Sequence, residues 1–158
     1  MQIQVLFIGR VKDRYLNDGI SEFLKRLRLY ATVFITELVE VKVLKSASSS
    51  SKMHVIEREG ERILAGVNTG FRTVALDPQA PLITSEEIAS LLRDAIFSGR
   101  NICFVIGGSL GLSPTVLSSV DRVISLSRLT FTHTMSRLIL FEQIYRGFRI
   151  LRGDPYHK

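Results

Sequence analysis

The stretch Asn101 to Ser113, NICFVIGGSLGLS, drives the apolar run Ile102 to Ile106 straight into Gly107 and Gly108, with Gly111 close behind. Glycines at the end of a buried strand clear side chains away, so that backbone N–H and C=O groups can come close to a ligand. Neither familiar phosphate loop fits the spacing. No Lys followed by Ser or Thr closes a GxxxxGK[ST] pattern, and Leu126 to Arg128 offer no acid where a dinucleotide fingerprint would place one. Alone, the glycines would read sooner as a tight turn between a strand and a helix. They are not alone. TVALD runs out at Leu76-Asp77, and ISLSRLTFTH spreads hydroxyl and apolar residues from Ser125 to Phe131. Three such loops, converging, would suit one flat, uncharged group.

The ending RGDPYHK is the second concentration of chemistry. Asp154-Pro155 forces an extended turn, and a short terminal tail frays unless something holds it. Yet Tyr156, His157 and Lys158 set an aromatic ring, an imidazole and an ammonium side by side, groups that stack on a flipped base, exchange a proton and meet a phosphate. From Arg122 onward the chain carries Arg122, Arg128, Arg137, Arg146, Arg149, Arg152 and Lys158 against Glu142 and Asp154, so most of the overall charge of +6 lies in the last quarter. Nearly all of these cations are Arg, whose planar fork suits phosphate, and the basic end is read as a surface for nucleic acid in preference to a merely solvated face.

The elements that must position these groups follow from periodicity. QIQVLFIG is a strand, and Tyr15, Leu16, Ile20, Phe23, Leu24 and Leu27 recur at helical spacing. VFITELV is a second strand. Lys45 to Lys52, KSASSSSK, reads as a polar linker or mobile loop before a helix over about 53–67. FRTVAL is a third strand, and Thr84 with Glu87 forms a capping box that opens a helix closing near Gly99. Ser113-Pro114 starts a short helix, Arg122 to Leu126 is the last strand, and a long helix covers about 134–151. Two apolar stripes on that helix, Leu138, Phe141, Tyr145 and Phe148 on one side and Leu140, Ile144, Gly147 and Leu151 on the other, exceed what one face of a small sheet needs, so the second is expected to meet a partner copy. Alternating strands and helices predict an α/β fold, a mostly parallel sheet with helices on both faces and ligands at the carboxyl ends of its strands.

With 158 residues, 46% of them hydrophobic, one compact domain spanning 1–158 is expected. No apolar run is long enough for a membrane helix, and the opening MQIQVLFIGR has neither the basic start nor the cleavage site of a leader, so a soluble, unprocessed protein without membrane contact is expected. The lone Cys103, inside an apolar run, argues for a buried thiol, no metal, and a reducing cytoplasm. His54 is expected to be inert.

These segments, together with EGERIL at Glu59 to Leu64 and the ending FEQIYRGFRILRGDPYHK, resemble the SPOUT-class methyltransferases, and within them the RlmH-type family that methylates N3 of a pseudouridine in large-subunit ribosomal RNA. The likeness covers essentially the whole chain. It implies a C-terminal trefoil knot, about residues 101–158 here, a rare exception to the rule that chains do not thread. It also implies S-adenosylmethionine as cofactor, held bent, with Leu76 from the first loop, Gly107 and Gly108 from the second, and Leu126, Ser127, Arg128, Leu129, Thr130 and Phe131 from the third around the adenine. A homodimer is implied, in which the tail of one subunit completes the active site of the other, and a ribosome as partner. One departure stands out: Thr132 precedes His133 where such families usually carry proline, which predicts a softer third loop.

The chemistry such a reaction asks of side chains is modest, because a sulfonium methyl is already activated and the protein has only to position the acceptor and take up the ring N3 proton. His133 and His157 are candidates for that proton, with Tyr156 beside the latter. Arg137 or Arg146 would steady charge developing on the ring carbonyls. Each has a plainer alternative, His133 as a cap of the following helix or a hydrogen-bonding residue within the loop, and Arg146 as the i+4 partner of Glu142. A nucleotide-regulated RNA-binding protein that transfers nothing is the rival function.

Overall fold

The computed structural model describes residues 1–42 and 46–156. Ten elements alternate along the chain: β1 (Gln2–Ile8), α1 (Arg14–Leu27), β2 (Thr32–Leu38), α2 (Ser49–Gly66), β3 (Arg72–Leu76), α3 (Ser85–Phe97), β4 (Ile102–Ile106), α4 (Pro114–Ser119), β5 (Arg122–Ile124) and α5 (His133–Leu151). The strands form one sheet in the order β2-β1-β4-β3-β5, and every pairing is parallel. β1 and β4 lie at its centre, which is why they are so apolar: Ile3 to Ile8, broken only by Gln4, and Ile102 to Ile106 are all buried.

Successive side chains of these strands point to opposite faces. Val5, Phe7, Phe104 and Ile106 join Leu92, Leu140, Phe141 and Ile144 in one core, whereas Leu6, Ile8, Cys103 and Val105 join Ile63 and Val116 in the other. Helices α1, α3 and α5 therefore cover one face, and α2 and α4 the other. Burial pushes the Cys103 thiol up to about 12, so it stays a neutral packing group. Gln4, buried in β1, is satisfied, its amide donating to Thr36 Oγ1 and the Gly66 carbonyl and accepting from Asn68 N.

Most boundaries fall where local chemistry places them. Thr84 accepts from Glu87 N while the Glu87 carboxylate accepts from Thr84 N, closing the expected capping box of α3. Three expectations change. Lys45 of the supposed linker lies outside the described residues, and Ser49 to Lys52 are not a loop but the first turn of α2; Ser48 Oγ caps it by accepting from Ser51 N at 3.2 Å. A serine run supplies the acceptors a helix start needs, which flexibility-based reading overlooks. The last helix begins at His133, because Thr132 is its N-cap and accepts from Met135 N at 3.2 Å.

The third change concerns the two stripes of α5. Leu140, Ile144 and Gly147 are buried, as are Phe141, Tyr145 and Phe148, so both sides of the helix are used inside one chain. A Cβ on Gly147 would meet Leu92 Cδ1 at 2.8 Å and the Ala89 backbone at 3.4 Å, so this glycine admits α3 of the same protomer. On the other side Tyr30, Phe148, Tyr145 and Phe23 form a ring cluster with centroids 5.2 to 6.0 Å apart. The surplus stripe does not await a partner copy.

Candidate active site

The ends of β1, β3, β4 and β5 surround a cavity of about 730 Å³, within the range of small-molecule sites. Leu76, Gly107, Gly108, Leu126, Ser127, Leu129, Thr130 and Phe131, drawn from the three loops, all line it, and so does His133. Arg128 is exposed and does not belong to its wall.

The glycine loop is built by close backbone approach. Gly111 N donates to Gly108 O at 3.1 Å, and Gly111 adopts φ +85°, a conformation side chains rarely tolerate. A Cβ on Gly107 would stand 2.5 Å from Gly111 O, so no other residue closes the loop this way. At Gly108 the sequence-based expectation is of glycine leaving space to a ligand. Instead its Cβ direction points behind the loop, toward Glu59 Oε2 at 3.0 Å and Ile8 Cγ2 at 3.1 Å. In the third loop Ser125 Oγ donates to Ser127 O and Ser127 Oγ accepts from Leu129 N at 2.9 Å, which commits these hydroxyls to the turn and leaves Leu129 exposed.

His133 is half-buried at the cavity edge, on the first turn of α5. Burial pushes its imidazole below the usual value of 6.5, and the charge of Arg137 pushes the same way against the weaker pull of Glu40. It is therefore neutral near pH 7 and able to accept a proton. Arg137, fully buried, does not reach the cavity. Its guanidinium donates to the carbonyls of Ile8 and Gly9 and lies 3.9 Å from the centroid of Phe7. Burial pushes its pKa down to about 10. This residue fastens the end of β1.

The basic end is largely turned on itself. Arg146 pairs with Glu142 at 2.6 Å, the i+4 alternative, and Arg149 meets Asp154 at 2.9 Å and the Tyr145 hydroxyl at 2.9 Å. Arg152 lies 4.5 Å from the Tyr30 ring centroid. Tyr156 is held against Tyr145, donates to Glu142 Oε1 at 3.2 Å, and does not line the cavity. Burial raises its phenol, with Glu142 adding to the effect. Glu142 is nine residues beyond His133 in α5, roughly 13 Å along the axis at 1.5 Å per residue. His157 and Lys158 lie outside the described residues.

Arg10, Lys12, Asp13 and Glu40 also line the cavity and sequence reasoning did not single them out. The signal was strand order: β1, paired with β4, brings Arg10, Lys12 and Asp13 of its own loop to the glycines, and β2, paired with β1, brings Glu40. Among the described residues no group of three or more His, Cys, Asp or Glu could hold a metal, and no helix is long and apolar enough to cross a membrane.

Comparison with known proteins bears on the whole of this arrangement. A Methanocorpusculum labreanum protein is 58% identical over the full length of both chains. Proteins of Symbiobacterium thermophilum and Bacillus pumilus, 45% and 43% identical over the full length of both, are named ribosomal RNA large subunit methyltransferase H, a name the Methanocorpusculum labreanum protein carries provisionally. Among solved structures, the tRNA (m1G37) methyltransferase of Aquifex aeolicus superposes with a TM-score of 0.55 at 12% identity, covering 92% of this chain and 70% of that one, a likeness of fold. The family described as "Predicted SPOUT methyltransferase" matches residues 1–157, and this chain belongs to it.

Proposed function

We propose that this protein is an S-adenosylmethionine-dependent methyltransferase that modifies N3 of a pseudouridine in large-subunit ribosomal RNA, on the ribosome in the cytoplasm, as a homodimer built from one 1–158 domain. The observation that carries the reading is the convergence of three loops on one cavity, with a neutral His133 at its edge. Relatives named for ribosomal RNA methylation support the substrate class.

The residues present fit the cofactor. Backbone groups of Gly107 and Gly108 can hydrogen-bond an adenosine, and Leu76, Leu126, Leu129 and Phe131 keep water from its ring. Arg10 and Lys12 with Asp13 and Glu40 offer both signs of charge to an amino-acid end. When bound, S-adenosylmethionine supplies a methyl activated by the sulfonium. His133 accepts the N3 proton of the ring, directly or through one water. The knot follows from the resemblance. The run of the chain after β5 supports it: Ile83 N donates to Ser125 O at 3.0 Å and Ser125 N to Pro81 O at 2.9 Å, lacing the segment beside the loop after β3.

The dimer rests on the tail. Tyr156 is anchored along α5 away from the cavity of its own chain, so a tail that contributes to chemistry serves a second copy. Labelled methyl transfer to purified ribosomes, free subunits and naked ribosomal RNA tests the reading, with transfer to ribosomes expected. Cofactor and RNA binding with no transfer to any of them would establish the non-catalytic alternative.

A further inference from the structure

The segment EGERIL contributes a buried carboxylate that nothing above uses. Glu59, on α2, is 3% exposed. Its Oε1 accepts from Val41 N at 2.9 Å, and its Oε2 stands 3.0 Å from where a Cβ of Gly108 would be. Arg62 donates to the Val39 carbonyl at 2.6 Å, and no salt bridge to Glu59 is formed among the described residues. Burial holds its carboxyl above the usual range, Val41 N–H opposes this, Glu40 adds to it and Arg62 counters it. A buried carboxylate without an ion pair is expensive to keep, so its position calls for a reason.

Its neighbours supply one. The helix carrying it can lie this close only because the next residue is Gly60, whose Cβ would collide with Ser113 Oγ, the N-cap of α4. Glu59 thus reaches the back of the glycine loop while its other oxygen holds Val41, next to Glu40 of the cavity wall. We infer that Glu59 is a positioning residue that braces the glycine loop Gly107–Gly111 against the segment after β2, so that two walls of the cavity are set before any ligand arrives. This rests on the reading of that cavity as the cofactor site. The contribution lies in one acceptor toward Val41 and one flat group of matching size behind Gly108, both of which glutamine retains and alanine removes.

Three variants of the full-length protein test it: Glu59→Gln, Glu59→Ala, and Ile88→Val, a core change in α3 on the opposite face of the sheet. In ligand-free protein, amide hydrogen exchange over 107–112 is expected to quicken at least tenfold in Glu59→Ala, and to stay within about threefold of the unmodified protein in the other two. S-adenosylmethionine affinity by calorimetry, well below all thermal midpoints, should fall at least tenfold in Glu59→Ala only. Unchanged exchange in Glu59→Ala overturns the brace. Equal quickening in Ile88→Val reduces Glu59 to general stability, and equal quickening in Glu59→Gln shows that charge, not the acceptor and shape, does the holding. Failure of the unmodified protein to bind the cofactor would instead strike the functional reading, since the exchange measurement needs no ligand.

Discussion

A proton acceptor must be unprotonated before the reaction begins, and His133 meets that condition through burial and the charge of Arg137 one turn further along α5. The sign is definite. With a folded value depressed below 6.5, the unfolded chain takes up the proton first as pH falls, so His133 contributes stability above 6.5 that is lost as pH drops through the interval beneath it. Urea midpoints between pH 7.5 and 5 should therefore decline less in His133→Gln than in the unmodified protein. Single-turnover methyl transfer should fall at least tenfold in the same variant, about 1.4 kcal/mol of barrier, with cofactor affinity retained. Transfer that survives the substitution would move the base elsewhere. Arg137, by contrast, acts at a distance from the ring: its fork closes on two carbonyls at the end of β1, and through that turn it settles the loop that brings Arg10 and Lys12 to the cavity.

At the scale of elements, Thr132, expected from the sequence to soften the third loop, secures the start of α5. Proline would fix the backbone angle; threonine instead supplies the hydroxyl that caps α5, and the third loop ends on a hydrogen bond. Thr132→Ala is expected to lower stability by about 1 kcal/mol. For a chain of this length that is a fall of roughly 2–4 °C in thermal midpoint, read by calorimetry. Gly147→Leu should do more, by about 1–3 kcal/mol, because it wedges α3 from α5, and light scattering should show the association state unchanged. What the sequence disclosed here was whatever is local: the capping box at Thr84, the proline start of α4, the two apolar central strands. The start of α2 was missed because Ser48 caps a run whose composition alone suggests a loop. The stripes of α5 were correctly seen and wrongly partnered, since periodicity records that a face is covered but not by what. Glu59 and the β1 loop were out of reach for the same reason, their roles being set by strand order and by Gly60 admitting α2 to Ser113.

At the scale of the whole molecule the decisive question is whose cavity the tail serves. Within one chain Asp154 and Tyr156 are fixed to α5 by Arg149, Glu142 and Tyr145, and the cavity lies at the other end of that helix. A dimer in which the tail crosses makes a prediction that no single-chain site can share. Take one protomer carrying His133→Gln with its tail intact, and another with His133 intact but lacking residues 154–158. Alone, each is expected to transfer methyl at about a tenth of the unmodified rate or less. Unfolded together in equal amounts and refolded, half the dimers would be mixed if pairing is random. In each mixed dimer the truncated chain's cavity would receive the other's tail, restoring about a quarter of the unmodified activity, by the symmetry of a two-fold pair. If the tail instead folds back to its own chain, one cavity lacks its base and the other its tail, and the mixture stays at that low rate. Cofactor binding measured on the same samples separates a failure of assembly from a failure of chemistry, because the truncated chain keeps every residue that lines the cavity.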